Sequence, residues 1–132
     1  MSSTICIPGK IIEFHQGGEE FLLSVFGKRS RAIENRDADA LIDCLHEDFV
    51  FVRHQSGTTM NKSEMADLMR NMMSNAEVVL HNHFCLYEND EVMVDRQIKD
   101  YPDGTRESTI GVYQLKDGKV TGLETGATPL SR

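Results

Sequence analysis

From Tyr101 to Gly126 the chain reads YPDGTRESTIGVYQLKDGKVTGLETG, and these residues decide the fold class. Two Asp-Gly pairs, Asp103-Gly104 and Asp117-Gly118, supply the positive φ values that tight hairpin turns require. The residues between them alternate with period two, so each run is a strand and the turns make the strands antiparallel. Working back toward the N-terminus, the same pattern continues through YENDE to Val78. The spacing predicts four long antiparallel strands near 78–88, 91–100, 105–116 and 119–126.

Before Val78 the period changes. Phe21, Leu22, Val25, Phe26 and Ile33 fall near helical spacing, predicting a first amphipathic helix from Gly18 to about Asn35. Asp37 then offers a helix cap, and Ala38, Leu41, Ile42 and Leu45 recur at i, i+3, i+4, i+7, so a second helix ends near His46. The aromatic and β-branched run DFVFVRH favours a strand, and QSG a turn. Asn61 followed three residues later by Glu64 reads as a capping box opening a third helix, with Met65, Leu68, Met69 and Met72 on its apolar stripe. Three helices followed by a meander predict an α+β domain whose helices cover one face of a curved sheet.

The length of 132 residues fits a single domain, residues 1–132, with 1–17 as a variable N-terminal arm and a core of about 18–126. The net charge of -7 would repel phosphate backbones, and the one basic cluster, Lys28 to Arg31, reads as a solvated helix face, so nucleic acid is not the expected partner. No run is long and apolar enough for a membrane span. MSSTICIPGKIIEFHQ lacks the pattern of a secretory signal, and Cys6, Cys44 and Cys85 are scattered, which suits reduced thiols; a cytoplasmic location is expected. No phosphate loop, nucleotide fingerprint or G-x-S-x-G is present, so no cofactor is expected.

The run RDADALIDCLHEDFVFVRHQSGTTMNKSEMADLM, with YENDEVMV and GVYQLKDGKVTGLETG after it, resembles the nuclear-transport-factor-2-like superfamily over about residues 18–126. The resemblance implies a cone-shaped, cystatin-like α+β fold, a curved antiparallel sheet packed on three N-terminal helices. It also implies a pocket at the open end of the cone and a homodimer through the sheet. Ketosteroid isomerase, scytalone dehydratase and polyketide cyclases belong to that superfamily, as do association domains without chemistry. Two functions therefore stand: a cofactor-free isomerase, dehydratase or cyclase acting on a small organic ligand, and a non-catalytic ligand-binding or association domain.

Several residues suit the first of these. Counting back from Gly57 puts His54 where ketosteroid isomerase-like members carry a general-base aspartate, and a histidine can take a proton near neutrality. Arg53 beside it could bind an oxyanion or a carboxylate. In VVLHNHFCLY, Val78 to Tyr87, strict alternation would set His81, His83, Cys85 and Tyr87 on one face and Leu80, Asn82, Phe84 and Leu86 on the other. The family places a pocket histidine near the start of this strand, which His81 matches. On the next strand Met93, Asp95 and Gln97 share one face, and Val92, Val94, Arg96 and Ile98 the other. One register gives a pocket with His54, His81 and Asp95 as a proton-transfer set, and His83 and Tyr87 beside the ligand. The opposite register puts the apolar set inside, with Asn82, Arg96 and Gln114 as the polar groups of a pocket suited to an anion. The pair His81 and His83 could chelate an ion, but two ligands on one strand are a weak signal, and no metal is expected.

Overall fold

Glycine and asparagine at defined positions, rather than hydrophobicity alone, give this sheet its shape. A computed structural model describes residues 2–7, 10–15 and 24–131, the first two segments by backbone only. The elements are β1 (Ser2–Ile7), β2 (Lys10–His15), α1 (Val25–Glu34), α2 (Ala38–Asp43), β3 (Leu45–Arg53) and β4 (Thr59–Asn61). They continue with α3 (Lys62–Ser74), β5 (Val79–Glu88), β6 (Val92–Asp100), β7 (Arg106–Lys116) and β8 (Lys119–Leu130). The expected first turn of the first helix, from Gly18 through Phe21 and Leu22, lies outside the described residues.

The helix starts follow their sequence signals. Ser24 caps α1 by accepting from the Gly27 amide at 2.9 Å, and Asp37 caps α2 by accepting from Ala40 at 3.1 Å. Asn61 and Glu64 complete the capping box of α3, each side chain accepting from the other's backbone amide at 2.9 and 3.1 Å. A second anchor comes from far along the chain. Glu88 at the end of β5 accepts from the Val25 and Phe26 amides at 3.1 and 2.9 Å, where its charge also complements the α1 dipole.

β4, β3, β8, β7, β6 and β5 form one six-stranded sheet in that order, and β1 and β2 form a separate antiparallel pair. The last four strands make the expected antiparallel meander. The sheet as a whole is mixed, because β3 lies parallel to β8, with Phe51 opposite Leu123 and Arg53 opposite Thr125. Parallel neighbours need a long crossover, and here everything from β4 to β7 separates the two strands. The β1–β2 pair and the three-residue β4 have too little apolar alternation to be read from sequence.

The β7–β8 turn is the tight one foreseen, with Asp117 at φ 54° and Gly118 at φ 76°. Asp103-Gly104 instead sits inside the longer loop 101–105, where only the glycine has positive φ. Register shifts in β5–β6, β3–β8 and β7–β8 bend the sheet toward the helices. Between sheet and helices lies the core, in which Leu45, Phe49, Cys85, Met93 and Val120 are almost wholly buried.

Candidate functional site: a polar-floored cavity in the cone

The inner face of the sheet is hollow because its central strands carry small residues there. Thr109 and Gly111 on β7 and Thr125 and Ala127 on β8 face a cavity of about 430 Å³, within the usual range of small-molecule sites. Ile33, Leu41 and the α3 residues Met65, Leu68, Met69 and Met72 form the opposite, apolar wall.

β6 supplies the polar floor. Its inward residues are Met93, Asp95, Gln97 and Lys99, spaced about 7 Å apart by the strand repeat. Met93 is buried in the core, whereas Asp95, Gln97 and Lys99 line the cavity. The expectation of an apolar Val92–Val94–Ile98 interior is therefore corrected. Those side chains lie on the outer face with exposed Arg96, and Gln114 of β7 is exposed as well. Asp95 is tolerated inside because neighbouring side chains donate to it.

Asp95 is 3% exposed, and its Oδ2 accepts from His83 Nε2 at 2.7 Å and from the Tyr113 hydroxyl at 3.0 Å. Arg29 donates to that hydroxyl at 3.3 Å and stacks over the Tyr113 ring at 4.7 Å. Burial pushes Tyr113 well above its ordinary value, the Arg29 charge opposing and the Asp95 charge adding, so the phenol keeps its proton and donates. Burial works to lower Arg29, but Tyr113 and Asp95 outweigh it and the guanidinium is held above its usual value. Gly111 lies directly across from Asp95, where an added Cβ would stand 3.0 Å from Asp95 Oδ1 and 2.9 Å from Tyr113 Cε1. The absent side chain leaves room for that second carboxylate oxygen.

Strict alternation fails in β5. The register shifts between His81 and Phe84, with Asn82 at φ 53°, a bulge that turns Leu80 and His83 to the same, inner side. His83 stands behind Asp95 rather than in the cavity, packed against Phe26 at 4.5 Å between ring centroids, and its Nδ1 is buried without a partner. His81 faces outward and bonds Asp100 at 3.1 Å, the same carboxylate that Arg106 grips at 2.6 Å. The two histidines thus point to opposite sides and cannot chelate one ion. No metal-holding group of three His, Cys, Asp or Glu occurs among the described residues.

The other candidates divide the same way. His54 lies at the surface 3.3 Å from Glu124, not in the cavity, because it follows the last inward residue of β3. Arg53, one position earlier, does line the cavity. Asn82, Tyr87 and Arg96 are exposed on the outer side, Arg96 lying 5.4 Å from the Phe84 ring centroid. Of the expected trio His54, His81 and Asp95, only Asp95 reaches the cavity, and the histidine that serves it is His83.

Arg29, Lys99, Tyr101 and Tyr113 also line the cavity, beyond the residues that the sequence pattern singles out. Arg29, in the basic cluster that reads as a solvated helix face, is 5% exposed. Its spacing was the available signal, since Val25, Arg29 and Ile33 follow one another at i, i+4, i+8 on the buried stripe. The run Asp95, Gln97, Lys99 was likewise visible as period-two polarity.

This curved sheet over three helices is the nuclear-transport-factor-2-like fold, and solved structures agree. An NTF2-like protein of unknown function from Mesorhizobium loti superposes with a TM-score of 0.71 at 12% identity, covering 83% of this chain and 92% of that one. A second from Burkholderia xenovorans LB400 gives 0.67 at 16% identity, covering 86% and 88%. A steroid delta-isomerase from Pseudomonas aeruginosa gives 0.62 at 14% identity, covering 86% and 84%. The family model of the SnoaL-like domain matches residues 29–123, and the chain belongs to that family. No curated protein matches its sequence.

Proposed function

We propose that this chain binds a small organic molecule in the cone and catalyses cofactor-free proton transfer on it, in an isomerisation, dehydration or cyclisation. The observation that carries the reading is Asp95, a buried carboxylate at the floor of the cavity, held by His83 and Tyr113 through one oxygen, with the other beside the space above Gly111. Burying such a group is costly unless it is hydrogen-bonded, so the network that fixes it supports a role in chemistry.

In this reading Asp95 is the general base. Its free oxygen takes a proton from a carbon next to a carbonyl, and the electron pair moves onto the carbonyl oxygen. In an isomerisation Asp95 returns the proton to the far carbon of a conjugated enolate as the pair leaves the oxygen and the carbonyl re-forms, so one C–H bond breaks, another forms, the double bond shifts and nothing is oxidised. In a dehydration the pair instead expels a β-hydroxyl, which leaves as water with that proton. His83 and Tyr113 are positioning residues that hold the carboxylate. Similarity to a steroid delta-isomerase is a likeness of fold and names no substrate.

The same reading takes the protein as a cytoplasmic homodimer. Exposed Val50, Phe84, Ile110 and Val112 on the outer sheet face support pairing with a second copy. Buried Cys44, a free thiol, suits a reducing compartment. No helix among the described residues is long and apolar enough to cross a membrane.

The test is deuterium uptake in heavy water. Carbonyl compounds that bind should incorporate deuterium next to the carbonyl in the presence of the protein, and Asp95→Asn should slow this by about 10²-fold or more while binding persists. Ligands that bind without protein-dependent exchange would favour the non-catalytic binding domain.

A further inference from the structure

The charges inside the cavity do not match those of the chain. The chain carries -7, yet the cavity lining holds three cations, Arg29, Arg53 and Lys99, against two carboxylates, Asp95 and Glu107. Three of these five are engaged: Arg29 with Tyr113 through Nη2 alone, its Nε and Nη1 being buried without a partner, Asp95 with Tyr113 and His83, and Glu107 as acceptor from the Tyr101 hydroxyl at 2.5 Å. Among the described residues, neither Lys99 nor Arg53 has a carboxylate at salt-bridge distance. Arg53 has only the Met60 sulfur at 3.8 Å and the face of Phe51 at 5.4 Å.

A third group shares their situation. Gln97 is 7% exposed, lines the cavity, and its Nε2 donor has no partner. Gln97 and Lys99 are successive inward residues of β6, and Arg53 reaches the cavity from β3 across the curved sheet. Burial pushes the Lys99 ammonium below its ordinary value; Glu107 and Asp95 pull it back, while Arg29 and Arg53 push it further down. Two cations therefore face one space beside an unsatisfied amide donor: Gln97 Nε2 has no partner, Lys99 has no carboxylate at salt-bridge distance among the described residues, and Arg53 has only the weak Met60 sulfur acceptor.

We propose that the cavity selects an anion, an apolar carboxylic acid whose carboxylate lies between Lys99 and Arg53 and accepts from Gln97 Nε2. The inference deepens the reading of the cone as a small-molecule site and rests on it. A carboxylate offers about four lone-pair sites and no donor, which suits two cations without a carboxylate partner and the unpartnered Gln97 amide. Its apolar body then lies along the methionine wall of α3, and the carbon next to the acid's ketone or alkene lies toward Asp95. Lys99 and Asp95 are four residues apart on β6, about 13 Å between α-carbons, a span that a medium-sized acid bridges.

Calorimetric titration with octanoate and benzoylacetate, beside octanamide and benzoylacetamide, tests this. The acids should bind the wild-type protein at least about tenfold tighter than their amides, the scale of a hydrogen bond to a charged partner. Lys99→Met should abolish the preference without lowering the thermal midpoint of the free protein, since Lys99 has no carboxylate at salt-bridge distance among the described residues. Arg53→Met, on a different strand, should reduce the preference as well and carries the test if the Lys99 variant misfolds. Amides binding as tightly as acids would overturn the anion assignment and leave the small-molecule site standing. Failure of every probe to bind would remove both.

Discussion

Gly111→Ala adds one methyl group at the cavity floor and tests the geometry around Asp95 directly. The new Cβ would stand 2.9 Å from Tyr113 Cε1, 3.0 Å from Asp95 Oδ1 and 3.2 Å from Tyr113 Cζ. These are contacts that cannot be kept, and Tyr113 and Asp95 are both held by the network. Overpacking of this kind costs about 1–3 kcal/mol. Alanine in a strand recovers roughly 0.5–1 kcal/mol of backbone entropy relative to glycine. The net expectation is a loss of roughly 0–2.5 kcal/mol, with a further cost of about 1.5–3 kcal/mol if the Tyr113 to Asp95 hydrogen bond breaks. Gly126→Ala is the matched control, because nothing lies within 4 Å of its added Cβ and it should be neutral or stabilising by about 0.4–1 kcal/mol. Urea denaturation reads both as midpoint shifts at constant slope. Deuterium exchange should fall in the Gly111 variant alone. Equal stability and equal exchange in the two variants would refute the close approach of Asp95 and Tyr113 to Gly111.

Three further outcomes are expected. Burial holds the Glu88 carboxyl above its ordinary value despite its two amide donors. The folded state therefore binds the extra proton, and this contribution, full below the ordinary carboxylate range, is lost as pH rises through the folded value. Glu88→Gln should flatten that slope in urea midpoints taken across the range, at a cost near neutrality of about 0.5–2 kcal/mol for the weakened cap of α1; an unchanged slope would clear Glu88. Arg36 donates to the carbonyls of Met72, Met73, Asn75 and Val78, tying the turn after α1 to the end of α3 and the loop that leads into β5, so Arg36→Met should cost roughly 1.5–3 kcal/mol, and Arg36→Lys should recover little because it lacks the planar fork. A wild-type midpoint in either variant would contradict this. Ile110→Lys on the outer face should convert a dimer to monomer in light scattering; a monomeric wild-type protein would remove the homodimer reading.

The sequence by itself determined the order and kind of most elements. Capping residues at Asp37 and Asn61, the helical spacing of the α3 methionines and the Asp117-Gly118 turn are local signals, set by backbone conformation and nearest neighbours. Asp95 and Arg53 were legible as candidates because alternation confines a residue to one of two faces. Which face turned inward was a tertiary matter. The apolar set of β6 gave way to the face that carries Asp95, which Tyr113 and His83, brought from two other strands, satisfy, with Arg29 of α1 donating to Tyr113 in turn. The histidine roles inverted for a similarly nonlocal reason: one bulge at Asn82 sends His81 outward and His83 behind Asp95. A period-two pattern contains no mark of where that period is broken, so only the folded sheet could decide it.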